Sequence, residues 1–159
     1  MKPSSLPGRF SDRHLLFGAA LAQLVMRNWP IMIKERPESD NNLFEFSSGG
    51  GKALVLFKYA TQPKSPWHFT VTGTQVTTIV DSSITVPGER RFLALICHLD
   101  GVCLLALNEF LSITTPGAEQ YGLSVARPTN SSFRVSGPGR VALERVIPRS
   151  RWTKEILMR

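Results

Sequence analysis

The chain has 159 residues, of which 42% are hydrophobic and 19% charged, and its formal net charge is +7. That length fits one domain that holds a core without metal or disulfide, and the composition excludes general disorder. Cys97 and Cys103 make neither a disulfide framework nor a paired C-x-x-C metal site, which points to a reducing, cytoplasmic setting.

Residues 1–10 carry Pro3, Pro7 and Gly8 and read as a loose arm. Ser11 is placed to cap a helix that runs to about Asn28, with Pro30 as its stop. Leu15, Ala19, Ala22, Met26 and Trp29 recur at helical spacing, and Leu16, Ala20 and Leu24 widen the stripe. The helix is therefore predicted to pack on a sheet over much of its circumference. Arg9 and Arg13 before this stretch, with Ala20-Leu21-Ala22 inside it, imitate a cleaved leader. The apolar part is too short for that, Asp12 and His14 interrupt its approach, and it is too short to span a membrane. No membrane partner is expected.

Ile31 to Ile33 reads as a short strand, and 37–42 as a polar loop. Leu43–Phe46 and Ala53–Ala60 flank Gly49-Gly50-Gly51 as a hairpin, and the continuous apolar run of the second strand marks it as central. From Trp67 to Val86 the Thr/Val alternation favours strand, with a helix as the alternative. Arg91–Cys97 and Val102–Leu107 form a hairpin through Asp100-Gly101, and Asn108–Ile113 is a short helix or a strand end. Leu123–Ala126 and Ser132–Ser136 pair across Pro128-Thr129-Asn130. Gly137-Pro138-Gly139 then breaks the chain before a basic segment, 137–159. The expected fold is α/β or α+β: one domain over 1–159, with a mixed sheet of five or more strands and the N-terminal helix packed on it.

The charge is uneven. Residues 126–159 hold eight Lys/Arg, seven of them Arg, against Glu144 and Glu155, while residues 1–125 hold eleven against ten. Arginine suits bidentate phosphate or carboxylate contacts, so a polyanion, nucleic acid above all, is the expected partner. A merely soluble basic surface is the bland alternative.

The catalytic signals are few. Gly49-Gly50-Gly51-Lys52 lacks the Ser/Thr and the following helix of a phosphate loop, and no nucleophile elbow, zincin helix or dinucleotide fingerprint is present. Cys97, His98 and Cys103 converge if Asp100-Gly101 is a two-residue turn, but zinc wants four ligands, and buried core thiols are the plainer reading. Lys58 stands out. It shares a strand face with Leu54, Leu56 and Ala60, and a lysine on a buried face must reach an edge, find an anion or lose its proton. A turn centred between Gly50 and Gly51 places Glu45 opposite Leu56 and diagonal to Lys58. That suggests either a Glu45–Lys58 pair or a functional lysine.

A helix followed by a hairpin with an acid on its first strand and a lysine on its second resembles the core of the PD-(D/E)xK restriction-endonuclease-like superfamily. The chain is also similar to short bacterial proteins in Phe57-Lys58-Tyr59, Pro66-Trp67-x-Phe69-Thr70 and the Asp100-Gly101 hairpin. The superfamily resemblance spans residues 11–107. It implies that Glu45 stands at the first metal-binding acid and Lys58 at the lysine, with Leu56 in place of the second acid. Since leucine cannot ligate a metal, the resemblance implies a nuclease-like scaffold that holds nucleic acid without cutting it, and a setting in bacterial or phage-related defence.

The expected function is a nucleic-acid-associated protein, DNA or RNA, that uses Lys58, Lys64 and Trp67 with Arg145, Arg149, Arg151 and Lys154. His68 and Phe69 lie beside Trp67, where base stacking competes with core packing. No cofactor is expected. The alternative is a non-enzymatic interaction module that docks an acidic protein through its Arg-rich end. A third reading is an active magnesium-dependent nuclease that uses Glu45, Lys58 and an acid from Glu35, Glu38 or Asp40.

Overall fold

The computed structural model describes residues 9–36, 42–49 and 51–157 of an α/β chain. The expectations for residues 1–8, for Glu38 and Asp40, and for Arg159 fall outside the described residues. Helix α1, Asp12–Val25, starts where expected: Ser11 accepts from the His14 amide, and the His14 ring accepts from the Ser11 amide in return. Strands β1 (Met32–Glu35), β2 (Leu43–Ser48) and β3 (Gly51–Ala60) follow as an antiparallel meander.

The chain then leaves this sheet. Strand β4, Trp67–Thr72, runs into helix α2, Gly73–Ile79, through a capping box between Thr72 and Gln75 that ends the strand inside the Thr/Val-rich stretch. Gly73 is required there, because a Cβ would meet the Ala118 carbonyl oxygen at 2.8 Å. The chain returns as β5 (Arg91–Cys97), parallel to β3, and turns into β6 (Val102–Ala106), giving the five-stranded order β1-β2-β3-β5-β6. Helix α3 (Leu107–Ser112) leads to β7 (Gln120–Ala126) and β8 (Arg134–Ser136), which join β4 in a second sheet of order β4-β7-β8. A last helix, α4, Arg151–Leu157, was not foreseen.

Strand alternation sorts the core into two layers. Leu54, Leu56, Leu93, Leu95 and Leu105 face Trp67, Phe69, Leu123 and Val125 of the second sheet. On the other side Val55, Phe57, Ala94 and Ile96 face Leu16, Phe17, Ala20 and Leu24 of α1 and Trp152 and Ile156 of α4. Trp152 Nε1 donates to the Ala20 carbonyl at 3.0 Å and ties the two helices together. The expectation that α1 is buried over much of its circumference is corrected. Of the two sets of apolar positions, Leu16, Ala20 and Leu24 are buried, whereas Leu15, Ala19, Ala22, Met26 and Trp29 face solvent. One side of α1 has the sheet and α4; the side chains on the other are exposed.

Candidate functional site

Glu45 and Lys58 do share the sheet face that looks toward the second sheet, but the structure separates them. Pairing closes at Ser48 and Gly51, with Gly49 at φ 57°, so Glu45 stands opposite Leu54 rather than Leu56. The turn is shifted by one position, and an antiparallel register changes by two. Lys58 is four residues further along β3, roughly 13 Å at about 3.3 Å per residue.

Glu45 instead has cations for neighbours. Its carboxylate lies 3.3 Å from Arg36 Nη1 and 3.3 Å from Lys52 Nζ, and Lys34 is its cross-strand partner on β1. A carboxylate already neutralised twice has little left for a metal ion. The acids that would complete a metal site do not join it. Glu35 pairs with Phe44 on the α1 side of the sheet and meets Arg13 at 3.7 Å, and the residue beside Lys58 on its own face is Leu56. Among the described residues no three His, Cys, Asp or Glu side chains come together as a metal site.

Lys58 is half-buried and donates to Gln75 Oε1 at 3.3 Å, while the same oxygen accepts from the Thr72 amide at 2.9 Å. Burial without a carboxylate pushes the Lys58 ammonium below the usual lysine pKa. The pair predicted from the hairpin is thus replaced by a neutral partner, the buried Gln75, contributed by the first turn of α2.

The aromatic and thiol candidates belong to the core. Trp67 is 2% exposed, lies edge-on to Phe133 and donates its indole N–H to the Gln62 carbonyl, so no base can stack on it. Phe69 is buried in the same layer, whereas Lys64 and His68 are exposed. In the β5–β6 hairpin Ile96 pairs with Val102, leaving a five-residue connection with Gly101 at φ 128°. Cys103 therefore stands opposite Leu95, not His98. Both thiols are buried, and burial raises their pKa values.

The basic C-terminal residues divide by partner. Arg151 forms a two-point ion pair with Glu109, at 2.8 and 3.3 Å, and also donates to the Leu104 carbonyl, so it clamps α4 to α3 and the edge of β6. Its predicted phosphate contact is corrected to a structural one. Arg134, Arg140, Arg145, Arg149 and Lys154 are exposed, and no carboxylate pairs with any of them among the described residues; Arg149 donates to the Asp100 carbonyl at 3.0 Å. Segment 141–147 runs back along β8, with Phe133 bridged to Ile147 and Ser136 to Ala142, so Arg134, Arg140 and Arg145 border one ribbon. Lys58 is held by Gln75 on the second-sheet side of the five-stranded sheet, the side opposite α4 and its Lys154.

Two charged residues escaped the sequence reading. Arg91, 5% exposed, places all five N–H donors on four carbonyls: Ile79, Asp81, Ile84 and, twice, Val86. It has no donor left for a phosphate. Arg127 forms a two-point pair with Asp100, which holds that carboxyl below its usual range. The only sequence signal for Arg91 was an arginine at the head of a fully apolar strand. Comparison with protein-family models, curated proteins and solved structures returned no match for this chain.

Proposed function

We propose that the chain is a non-catalytic, nucleic-acid-associated protein that holds a polyanion on the basic ribbon of its last third. The observation that carries this is the set of exposed cations along that ribbon, Arg134, Arg140 and Arg145, and Arg149 just beyond it, with no carboxylate paired to them among the described residues. Cations already neutralised inside a protein add little to phosphate binding, whereas solvated arginines release counterions and gain affinity. The helix–hairpin order and the lysine on β3 keep the likeness to a nuclease-like scaffold. Leu56 beside Lys58, and Glu45 held by Arg36 and Lys52, speak for a scaffold without metal chemistry. A subunit role in bacterial or phage-related defence is the setting that this likeness implies.

The test is a binding titration against duplex DNA, single-stranded DNA and RNA over a salt series. For duplex DNA each lost phosphate contact makes the slope of log K against log salt shallower by ~0.9. Arg140→Ala, Arg145→Ala and Arg149→Ala together are expected to weaken binding and flatten that slope, and Lys58→Met to leave both as they are. Unchanged affinity and slope in the triple variant would remove the reading.

A second reading, a protein-interaction module, is favoured by a different observation: the solvent side of α1 is apolar. Leu15 is 59% exposed, Val25 63% and Met26 79%.

A further inference from the structure

The solvent side of α1 holds more apolar surface than a lone helix face needs. At about 100° per residue, Leu15, Gly18, Ala19, Ala22, Val25 and Met26 fall within one arc opposite the buried Leu16, Ala20 and Leu24. The arc extends at both ends. Phe10, 74% exposed, precedes the helix, and Leu99, 78% exposed, shares with Met26 a groove of about 440 Å³. Phe10, Leu15, Val25, Met26 and Leu99, each more than half exposed, present apolar surface on the order of several hundred Å², the size at which a patch marks an interaction site.

The shape and charge of the arc are self-complementary. Its middle is small, with Gly18, Ala19 and Ala22, and nothing lies within 4 Å of a Cβ built on Gly18. Its ends are large. Two such helices crossing at their middles approach to about 8 Å, the short end of helix-packing distances. Asp12 opens the helix and Arg27 follows it; both are exposed, and neither has a side-chain partner in the described structure. Their separation along the axis is roughly 22 Å at ~1.5 Å per residue. An antiparallel crossing brings Asp12 of each copy to Arg27 of the other, whereas a parallel one sets acid on acid and arginine on arginine. Arg13 does not disturb this, since it turns to the sheet side, over the Phe17 ring and onto Asn42.

We propose that α1 is the seam of a symmetric homodimer in which the α1 helices of two copies pack antiparallel. The proposal rests on the interaction-module reading of this helix and names its occupant.

Sedimentation equilibrium over a wide range of protein concentration reads it directly. The chain is expected to approach twice its 17.7 kDa mass, and Leu15→Lys with Met26→Lys to sediment as a folded monomer. Both positions are exposed, so circular dichroism should be unchanged. Asp12→Arg and Arg27→Asp are each expected to weaken association roughly four- to 25-fold, since the symmetric seam holds two such exposed ion pairs, and the double swap to restore it. Dimerisation that survives the Leu15/Met26 variant, or a swap without rescue, would overturn the antiparallel seam. A monomer at every concentration would overturn the dimer. Ala22→Cys then separates the readings: fast maleimide labelling means a bare face, so docking to a different protein stands, whereas slow labelling means that the chain covers its own helix and both readings fall.

Discussion

Arg91→Met tests whether a buried cation without a carboxylate serves the fold alone. Methionine keeps the apolar stem and removes the guanidinium, so packing against β3 survives while five hydrogen bonds are lost. Hydrogen bonds to charged groups contribute about 1.5–3 kcal/mol each, but burying the ion costs several kcal/mol, so the gross sum does not reach stability. What decides is the acceptors left behind. The Asp81 carbonyl belongs to an exposed residue and can turn to water. The Ile84 carbonyl keeps the Val86 N–H at 2.9 Å, whereas those of Ile79 and Val86 belong to residues no more than 6% exposed and are stranded, each at a cost of about 1–3 kcal/mol. Partial relaxation brings the net loss to about 3–5 kcal/mol, the tail of the distribution for single substitutions. At ~2–4 °C per kcal/mol for a chain of this length, the melting temperature should fall by about 6–20 °C. Arg91→Lys, with three donors on a point charge, should recover part of it. Thermal unfolding by circular dichroism reads the shift, and limited proteolysis reads the loosening of segment 79–86. A fall below about 2 °C with no new cleavage there would refute the strap.

Lys58→Met is expected to keep or raise the melting temperature at pH 7. Its folded pKa is depressed by burial, so between that value and the ordinary 10.5 the unfolded chain binds more protons and wild-type stability rises with pH. The advantage of the variant should narrow as the pH approaches that of free lysine; a large destabilisation partly rescued by Glu45→Gln would instead reinstate the ion pair. Cys97 and Cys103, protonated and buried, should resist thiol reagents in the folded protein at pH 8 and react fully once it is denatured; rapid labelling of the native chain would contradict their placement. With magnesium or manganese the purified chain should not cut DNA or RNA, and cleavage abolished by Glu45→Ala would restore the nuclease reading.

Elements with strong local grammar were legible. The Ser11 cap, the apolar run of β3 and the Gly-rich and Asp100-Gly101 turns placed α1, the first hairpin and the second close to where they lie. What failed was register. A single position of uncertainty in a three-glycine turn moved Glu45 two residues along β3, and with it the whole notion of a Glu45–Lys58 site. The face assignment survived because a two-residue slip preserves alternation. Helix α1 shows another limit: periodicity reveals two apolar stripes but not which of them meets the sheet. Trp67 was ambiguous for a related reason, since an aromatic beside basic residues has the same sequence whether its ring points in or out. Helix α4 is faint in the sequence because its apolar spacing, Trp152 and Ile156 four residues apart, is short and set in the basic segment 137–159. Arg91 and its carbonyl partners depend on how residues 79–86 fold back, which no local pattern encodes.

The excursion from β3 to β5 has a consequence for the order in which the molecule can be made. Strand β4 leaves the ribosome well before β7, its strand neighbour among the described residues, and β7 in turn precedes β8. Until then the Trp67, Phe69 and Val71 edge has nothing to pair with, and the sheet it covers stays open on that side. The other side waits longer still, since Trp152 and Ile156 arrive only with the last helix. A nascent chain halted short of α4 would thus carry Phe46 and Phe57 without their cover, in a topology whose distant pairings are slow to form. Synthesis from the N-terminus leaves the sheet dependent on residues 151–157 for its cover, and a chaperone that shields the half-made sheet would act between the emergence of β4 and that of α4.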